Sequence, residues 1–263
     1  MKIPLIPATL VTALLIGTGA LAGTTAIPSS PADTVMTTTA GDWEITLGLY
    51  GWGAGLEGDI GAAGFVAPVD IDFSDILDSL DMVAMGKVEA RKNRWIFQLE
   101  GLYLRNSVTG LSSTLLGNVR SAKLTAETTR LQPVIGYRLV DNGCTQVDVL
   151  AGAVYYNISN ELRVIGSRVQ ATVDSKDDWA DPIIGLRLSQ RLGERWNLRM
   201  RGDVGGGVNA DLVWQAVGMV GFDMTESTTL FFGYRHAAVD YQNGGFVYDV
   251  ASSGPLIGLG LTW

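Results

Sequence analysis

The sequence predicts an all-β chain: a closed antiparallel transmembrane β-barrel of ten strands, with a short helix in its first outer loop. Three observations carry this expectation. Apolar and polar residues alternate with period two from Trp43 onward. The turns between alternating segments come in two lengths, short and long in succession, as expected when hairpins insert from one side. The chain closes on an alternating strand, Leu256 to Trp263, that ends on an aromatic residue. A soluble sandwich would also alternate; the turn lengths and the final strand favour the barrel. Eight and twelve strands are the alternatives.

The chain opens with Lys2, an apolar run to Leu15 and a small-residue stretch ending Ala20-Leu21-Ala22. This three-part pattern is that of a secretory signal peptide over 1–22, cut after Ala22. Pro4, Pro7, Gly17 and Gly19 interrupt the run, which argues against an anchoring helix. Residues 23–41 are small and polar and read as a flexible lead-in, and 42–263 form the expected barrel domain. A net charge of -8 disfavours nucleic acid as a partner. With Cys144 the single cysteine, no disulfide within the chain is possible.

The ten expected strands cover about 43–56, 80–91, 94–106, 124–140, 145–159, 178–192, 195–205, 212–223, 227–241 and 255–263. In the third, Trp95, Phe97, Leu99 and Tyr103 share one face, opposite Gln98 and Glu100. In the fourth, Leu131, Pro133, Ile135, Tyr137 and Leu139 oppose Arg130, Gln132 and Arg138. Short turns fall near 92–93, 141–143, 193–194 and 225–227, and long connections near 58–79, 107–122, 161–177 and 242–254. The 206–211 link is short where a long one is expected, and its Gly205-Gly206-Gly207 lacks the Lys-Ser/Thr end of a phosphate loop. Closure is a physical requirement, because an open strand edge in hydrocarbon leaves backbone groups unpaired. Trp43, Trp95, Trp196 and Trp214, with Tyr103, Tyr137 and Tyr155, suit the two interfacial girdles.

Two segments carry a resemblance. The terminal strand with Trp263 resembles the C-terminal insertion signal of outer-membrane barrels, with Trp in place of the usual Phe. The stretch from Val69 to Trp95, with Phe73-Ser74-Asp75-Ile76-Leu77 before Met85-Gly86 and Glu89-Ala90-Arg91, is similar to a segment of a family of small Gram-negative outer-membrane β-barrel proteins. The resemblance implies a barrel in the cell outer membrane, in contact with lipid and lipopolysaccharide and inserted by the barrel assembly machinery. It implies no catalytic residues, no cofactor and no metal.

The polar faces would line the lumen with Lys87, Glu89, Arg91, Gln98, Glu100, Arg130, Gln132, Arg138, Asp148, Asp181, Arg187, Arg191, Arg199, Arg201, Asp203 and Arg235. Two arrangements fit. The charges pair and fill the bore, or they line a narrow path favouring small anions. The first outer loop is acidic, and Phe73, Ile76, Leu77 and Leu80 fall at helical spacing. Its helix would bring Asp72, Asp75 and Asp78 to the lumen arginines, or stay as a solvated turn; the spacing does not suit an EF-hand calcium loop. The single histidine, His236, shares the expected lipid face of Leu230, Phe232 and Tyr234, and Asp240 is too far along the strand to orient it. No catalytic set is legible. The function classes left are a channel for small solutes and a non-conducting barrel that supports the envelope or presents its loops; a barrel enzyme acting on lipid or peptide ranks below both.

Overall fold

The computed structural model describes residues 43–62, 65–110, 119–166 and 170–263. The expected signal peptide and lead-in, 1–22 and 23–41, lie outside them. Within them the chain forms twelve strand segments and one helix: β1 Glu44–Trp52, β2 Gly55–Ala62, β3 Phe65–Ile71, α1 Phe73–Asp78, β4 Leu80–Lys92, β5 Trp95–Gly110, β6 Val119–Asp141, β7 Thr145–Gly166, β8 Gln170–Arg191, β9 Trp196–Gly205, β10 Leu212–Asp223, β11 Thr228–Asn243 and β12 Phe246–Thr262. Ten of the segments are the staves of a closed antiparallel barrel. β1 pairs with β4, successive strands pair through to β12, and β12 returns to β1. The closing seam sets Thr46 opposite Thr262 and Trp52 opposite Leu256, and Ile45 and Trp263 exchange backbone hydrogen bonds at 2.9 and 3.0 Å.

The other two segments extend the first stave. β1 stops at Trp52, and β2 resumes on the outer part of β12, with Gly55 opposite Ser253 and Gly61 opposite Val247. At the joint the Gly53 N–H donates to the Pro255 carbonyl at 2.8 Å. A side chain at Gly254 would run into the Gly53 carbonyl there, so the close approach requires glycine. β2 folds back on β3, and α1 then bridges to β4. The helix starts at Asp72 without a side-chain cap. Its other end is tied down by Asn106 Nδ2, which donates to the Ile76 carbonyl at 3.1 Å and to Ser79 Oγ at 2.9 Å. Ile76 is fully buried, so packing of one residue into the barrel top holds this six-residue helix.

The long connections need correction. Of the expected loop 161–177, most is ladder, with β7 and β8 paired out to Ile165 opposite Gln170. The expected loop 242–254 is a tight hairpin, with Asn243 opposite Phe246 across Gly244-Gly245. Both glycines have positive φ, 54° and 93°, as a two-residue hairpin turn demands. Parts of 107–122 continue β5 and β6, while 111–118 lies outside the described residues. Segment 58–79 holds the β2–β3 hairpin and α1.

These segments read as loops because their polarity inverts. On the membrane part of β11 the outward residues are Leu230, Phe232 and Tyr234; further out on the same face come Asp240 and Gln242. The inward residues change the other way, from Arg235 to Val239 and Tyr241. β8 repeats this, with Leu186 and Ile184 outward in the belt and Asp178, Lys176 and Asp174 outward beyond it, while Arg187 gives way inside to Ile183 and Trp179. Hydrocarbon surrounds one half and water the other, so the barrel is polar inside where it meets lipid and apolar inside where it meets water.

Candidate functional site: the lumen

Two polar clusters fill the membrane half of the bore. Near the periplasmic end, charges of alternating sign run from Glu44 through Arg91, Glu89, Arg187, Asp148 and Arg138 to Asp141. The contacts are Arg91 Nη1 to Glu44 at 2.9 Å and Arg91 Nε to Glu89 at 2.6 Å. Arg187 Nη1 reaches Glu89 at 2.5 Å and its Nε reaches Asp148 at 2.9 Å. Arg138 joins Asp148 and Asp141, both at 3.0 Å. The Glu89–Arg187 contact crosses the barrel, from β4 to β8. Asp141 sits at the exposed strand end. The Gly143 N–H and the Arg138 guanidinium hold its carboxyl below the usual carboxylate range.

The second cluster lies deeper. Glu100 on β5 accepts from Arg235 of β11 and from the Tyr50 hydroxyl of β1, each at 2.7 Å, and pairs with Arg130 of β6 at 3.5 Å. Arg235 also donates to Gln215 at 2.6 Å. Gln215 and Gln132 both donate to Asp203, which pairs with Arg201 at 2.8 Å. Glu89, Glu100, Gln132, Asp148, Asp203, Gln215 and Arg235 are all buried. Period-two strands deliver every second side chain to the interior, so the clusters follow directly from the sheet register. In the two clusters six arginines, Arg91, Arg130, Arg138, Arg187, Arg201 and Arg235, meet six carboxylates, Glu44, Glu89, Glu100, Asp141, Asp148 and Asp203; Lys87 and Arg199 are two further cations beside them. Among the described residues, Lys87 and Arg199 make no ion pair; Arg199 lies over the Phe231 ring at 4.5 Å.

Among the cavities that adjoin these clusters, two share a border. One of about 100 Å³ lies in the bore against β1, β12 and β10, and Gln98, Arg201 and Arg235 reach it. The other, about 620 Å³, sits at the periplasmic end between the 142–144, 193–195 and 224–226 turns. Arg91, Ser189 and Arg199 border both.

Beyond the deeper cluster the bore is packed with apolar groups. Trp179 lies between Tyr241 and Tyr156, with centroid separations of 3.9 and 5.2 Å, and Phe246 and Tyr248 tilt against it. Trp52, Leu56, Ile60, Ile71, Ile76, Leu104, Ile158 and Val239 complete this core, each buried. Outside, Leu49, Phe97, Leu99, Ile135, Ile184, Leu186, Phe232 and Leu259 form an exposed apolar belt. Trp43, Trp95 and Trp196 edge its periplasmic side, where Trp95 packs edge-on against Tyr137 at 5.1 Å.

Several expected lumen residues sit elsewhere or do something else. Asp181 is buried and faces inward, but it accepts from the backbone N–H groups of Asn209 and Ala210 at 2.8 and 3.0 Å. It latches the short 206–211 turn instead of joining the charge network. Arg191 is exposed at the periplasmic rim. Asp72, Asp75 and Asp78 remain exposed while Ile76 points in, and none joins an ion pair among the described residues. The helix therefore packs by its apolar side, since burying Ile76 needs no compensating charge. His236 faces outward with Trp214, ring centroids 4.6 Å apart, and contacts Ser253 Oγ at 2.5 Å. Cys144 is an exposed free thiol in the β6–β7 turn. Tyr50 and Gln215 were not anticipated; their inward register in β1 and β10 was the available signal.

A closed barrel with an outward apolar belt and a charged bore has the architecture of the outer-membrane β-barrels of Gram-negative bacteria. Neither a protein-family model nor a curated protein matches the sequence. Among solved structures, the chain is similar to the outer membrane protease OmpT from Escherichia coli, at a TM-score of 0.52 and 12% identity over 84% of this chain and 96% of that one. It is also similar to the translocator domain of the autotransporter NalP from Neisseria meningitidis, at a TM-score of 0.44 and 11% identity over 85% and 89%. At such identities the likeness shows the fold alone.

Proposed function

We propose that this protein is a non-conducting outer-membrane barrel whose outer half is a rigid platform for its hairpin tips. The observation that carries the reading is the apolar core around Trp179, which occupies the bore beyond the membrane. Ions crossing the barrel would have to pass through that core, where a charge finds no partner. The paired charges beneath it add a second obstruction across the β4–β8 and β5–β11 diameters. The strands that carry the tips run well past the belt: β6, β7 and β8 are 22 or 23 residues long, where about 9–11 cross a bilayer. Such length serves presentation to a partner outside the cell and adds nothing to transport. No catalytic role is assigned, since His236 turns away from the bore and meets Ser253 and Trp214, with no carboxylate partner among the described residues. Planar-bilayer recording of the folded barrel tests the reading. The expected record shows no steady steps; a reproducible conductance with ion preference would establish the alternative, a narrow channel for small anions.

A further inference from the structure

We propose that the cavity in the membrane half of the bore is a binding site for a small oxyanion of the phosphate class, filled from the periplasmic side. Unpaired polar atoms border this cavity. Gln98 is 5% exposed, and neither atom of its amide has a hydrogen-bond partner. Arg201 Nη2 and Arg235 Nε are likewise buried without a partner. All three side chains border the same cavity. Buried polar atoms are almost always satisfied by protein, water or ligand, so four such atoms on three side chains around one space point to an occupant.

Charge identifies the occupant's sign. Lys87 and Arg199 border this cavity and make no ion pair among the described residues; Glu89, Glu100 and Asp223 act on them only from beyond ion-pair distance. The six carboxylates of the two clusters are met by six arginines, so these two cations are left over. A cation held in a bore ringed by hydrocarbon needs a counter-charge, because water is too scarce there to solvate it fully. The cavity, at about 100 Å³, has room for a small ion with some water, since a single water needs roughly 10–15 Å³.

Donor geometry favours an oxyanion over chloride. Guanidinium groups present forked N–H donors that suit two oxygens at once. Gln98 offers a carbonyl oxygen as well as an amino group, whichever way its amide is turned. A bare halide cannot donate to that oxygen, whereas the P–OH of hydrogenphosphate can. Access is from the periplasm: Arg91, Ser189 and Arg199 border both this cavity and the larger one at the periplasmic end, and the apolar core closes the other direction.

The test is calorimetric titration of the folded barrel, in a zwitterionic detergent near neutral pH, with inorganic phosphate and with chloride. Folding of every variant is checked by heat-modifiable gel migration. Saturable phosphate binding is expected, weakened by about tenfold or more in Arg199→Gln and in Lys87→Gln, as loss of a charge-assisted contact requires. Phosphate should also raise the unfolding temperature of the wild type and not that of Arg199→Gln. Because Arg199 has no carboxylate partner, its neutral variant should fold; Lys87→Gln gives an independent reading of the same site. Absence of phosphate binding to the folded wild type, equal binding of chloride, or unchanged phosphate affinity in both folded variants would overturn the proposal. The titration is made on the isolated barrel, so its outcome is separate from whether the barrel conducts.

Discussion

Trp179 of β8 lies flat on Tyr241 of β11, with ring centroids 3.9 Å apart and planes within 4°. Only the short β9 and β10 stand between the two strands, so the stack ties β8 to β11 beyond the ends of those staves, and Tyr156, Phe246 and Tyr248 pack around it. Trp179→Ala should therefore lower stability by about 3–5 kcal/mol, the range for truncating a large buried aromatic. The loss should be local. Amide exchange should rise along the outer parts of β8, β11 and β12, while the lipid-facing parts of the same strands stay protected. Uniform loss of protection through the belt would contradict a separate outer core.

Glu100 holds two arginines and a tyrosine from three other strands, where Asp203, the other carboxylate of the deeper cluster, holds one arginine. Glu100→Ala leaves Arg130 and Arg235 facing one another without a counter-charge. The expected destabilisation is about 3–5 kcal/mol, as for removing one partner of a buried ion pair. Glu100→Gln should lose less, since an amide oxygen still accepts from Tyr50 and Arg235. Urea unfolding of barrels inserted in lipid vesicles measures both. Equal losses in the two variants would show that charge, and not hydrogen bonding, holds the cluster.

The staves were legible in the sequence because lipid imposes one rule on them: outward residues such as Phe97, Leu99 and Leu259 must be apolar, and the alternation then dates every strand from its periplasmic turn. Glu89, Glu100, Asp148 and Arg235 were legible for the same reason, by parity alone. Which charges meet was not, since Glu89 and Arg187 are 98 residues apart and touch across the bore. The outer core was hidden by the inversion of polarity. Asp174, Lys176 and Asp178 resemble a loop when the lipid rule is applied, yet they face water on a strand whose inner side carries Trp179. Asp181 was read by parity as one more lumen charge, and nothing local in the sequence reveals that its acceptors are spent on a turn 28 residues away.

Asp181→Ala should release that turn. The buried N–H of Ala210 and the N–H of Asn209 lose their acceptor together, which costs about 1–3 kcal/mol. Asp181→Asn should be intermediate, since one amide oxygen can serve only in part. The readout is amide exchange at Asn209 and Ala210 and proteolytic nicking between Gly206 and Asp211. Retained protection at both amides in Asp181→Ala would show that Gly206 and Gly207 hold the turn unaided.

Three aspartates stand side by side on the outer surface, with Asp249 of β12 opposite Asp240 of β11 on one side and opposite Asp59 of β2 on the other. Partial burial and these two neighbours push the Asp249 carboxyl above its ordinary range. The sign follows from proton uptake. In the pH range between the ordinary and the raised value the folded state holds more protons than the unfolded, so stability falls as pH rises through it. Asp249→Asn removes the repulsion and should stabilise the outer β11–β12 hairpin by about 0.2–1 kcal/mol at neutral pH, the scale for like charges directly opposed on a sheet. The gain should shrink toward acid pH, where the wild-type carboxyl is itself neutral. Amide exchange of residues 240–250, compared between the two proteins at neutral and acid pH and corrected for intrinsic rates, measures it. A gain that persists unchanged in acid would mean that the asparagine acts through hydrogen bonding, with the three-aspartate row already screened by water.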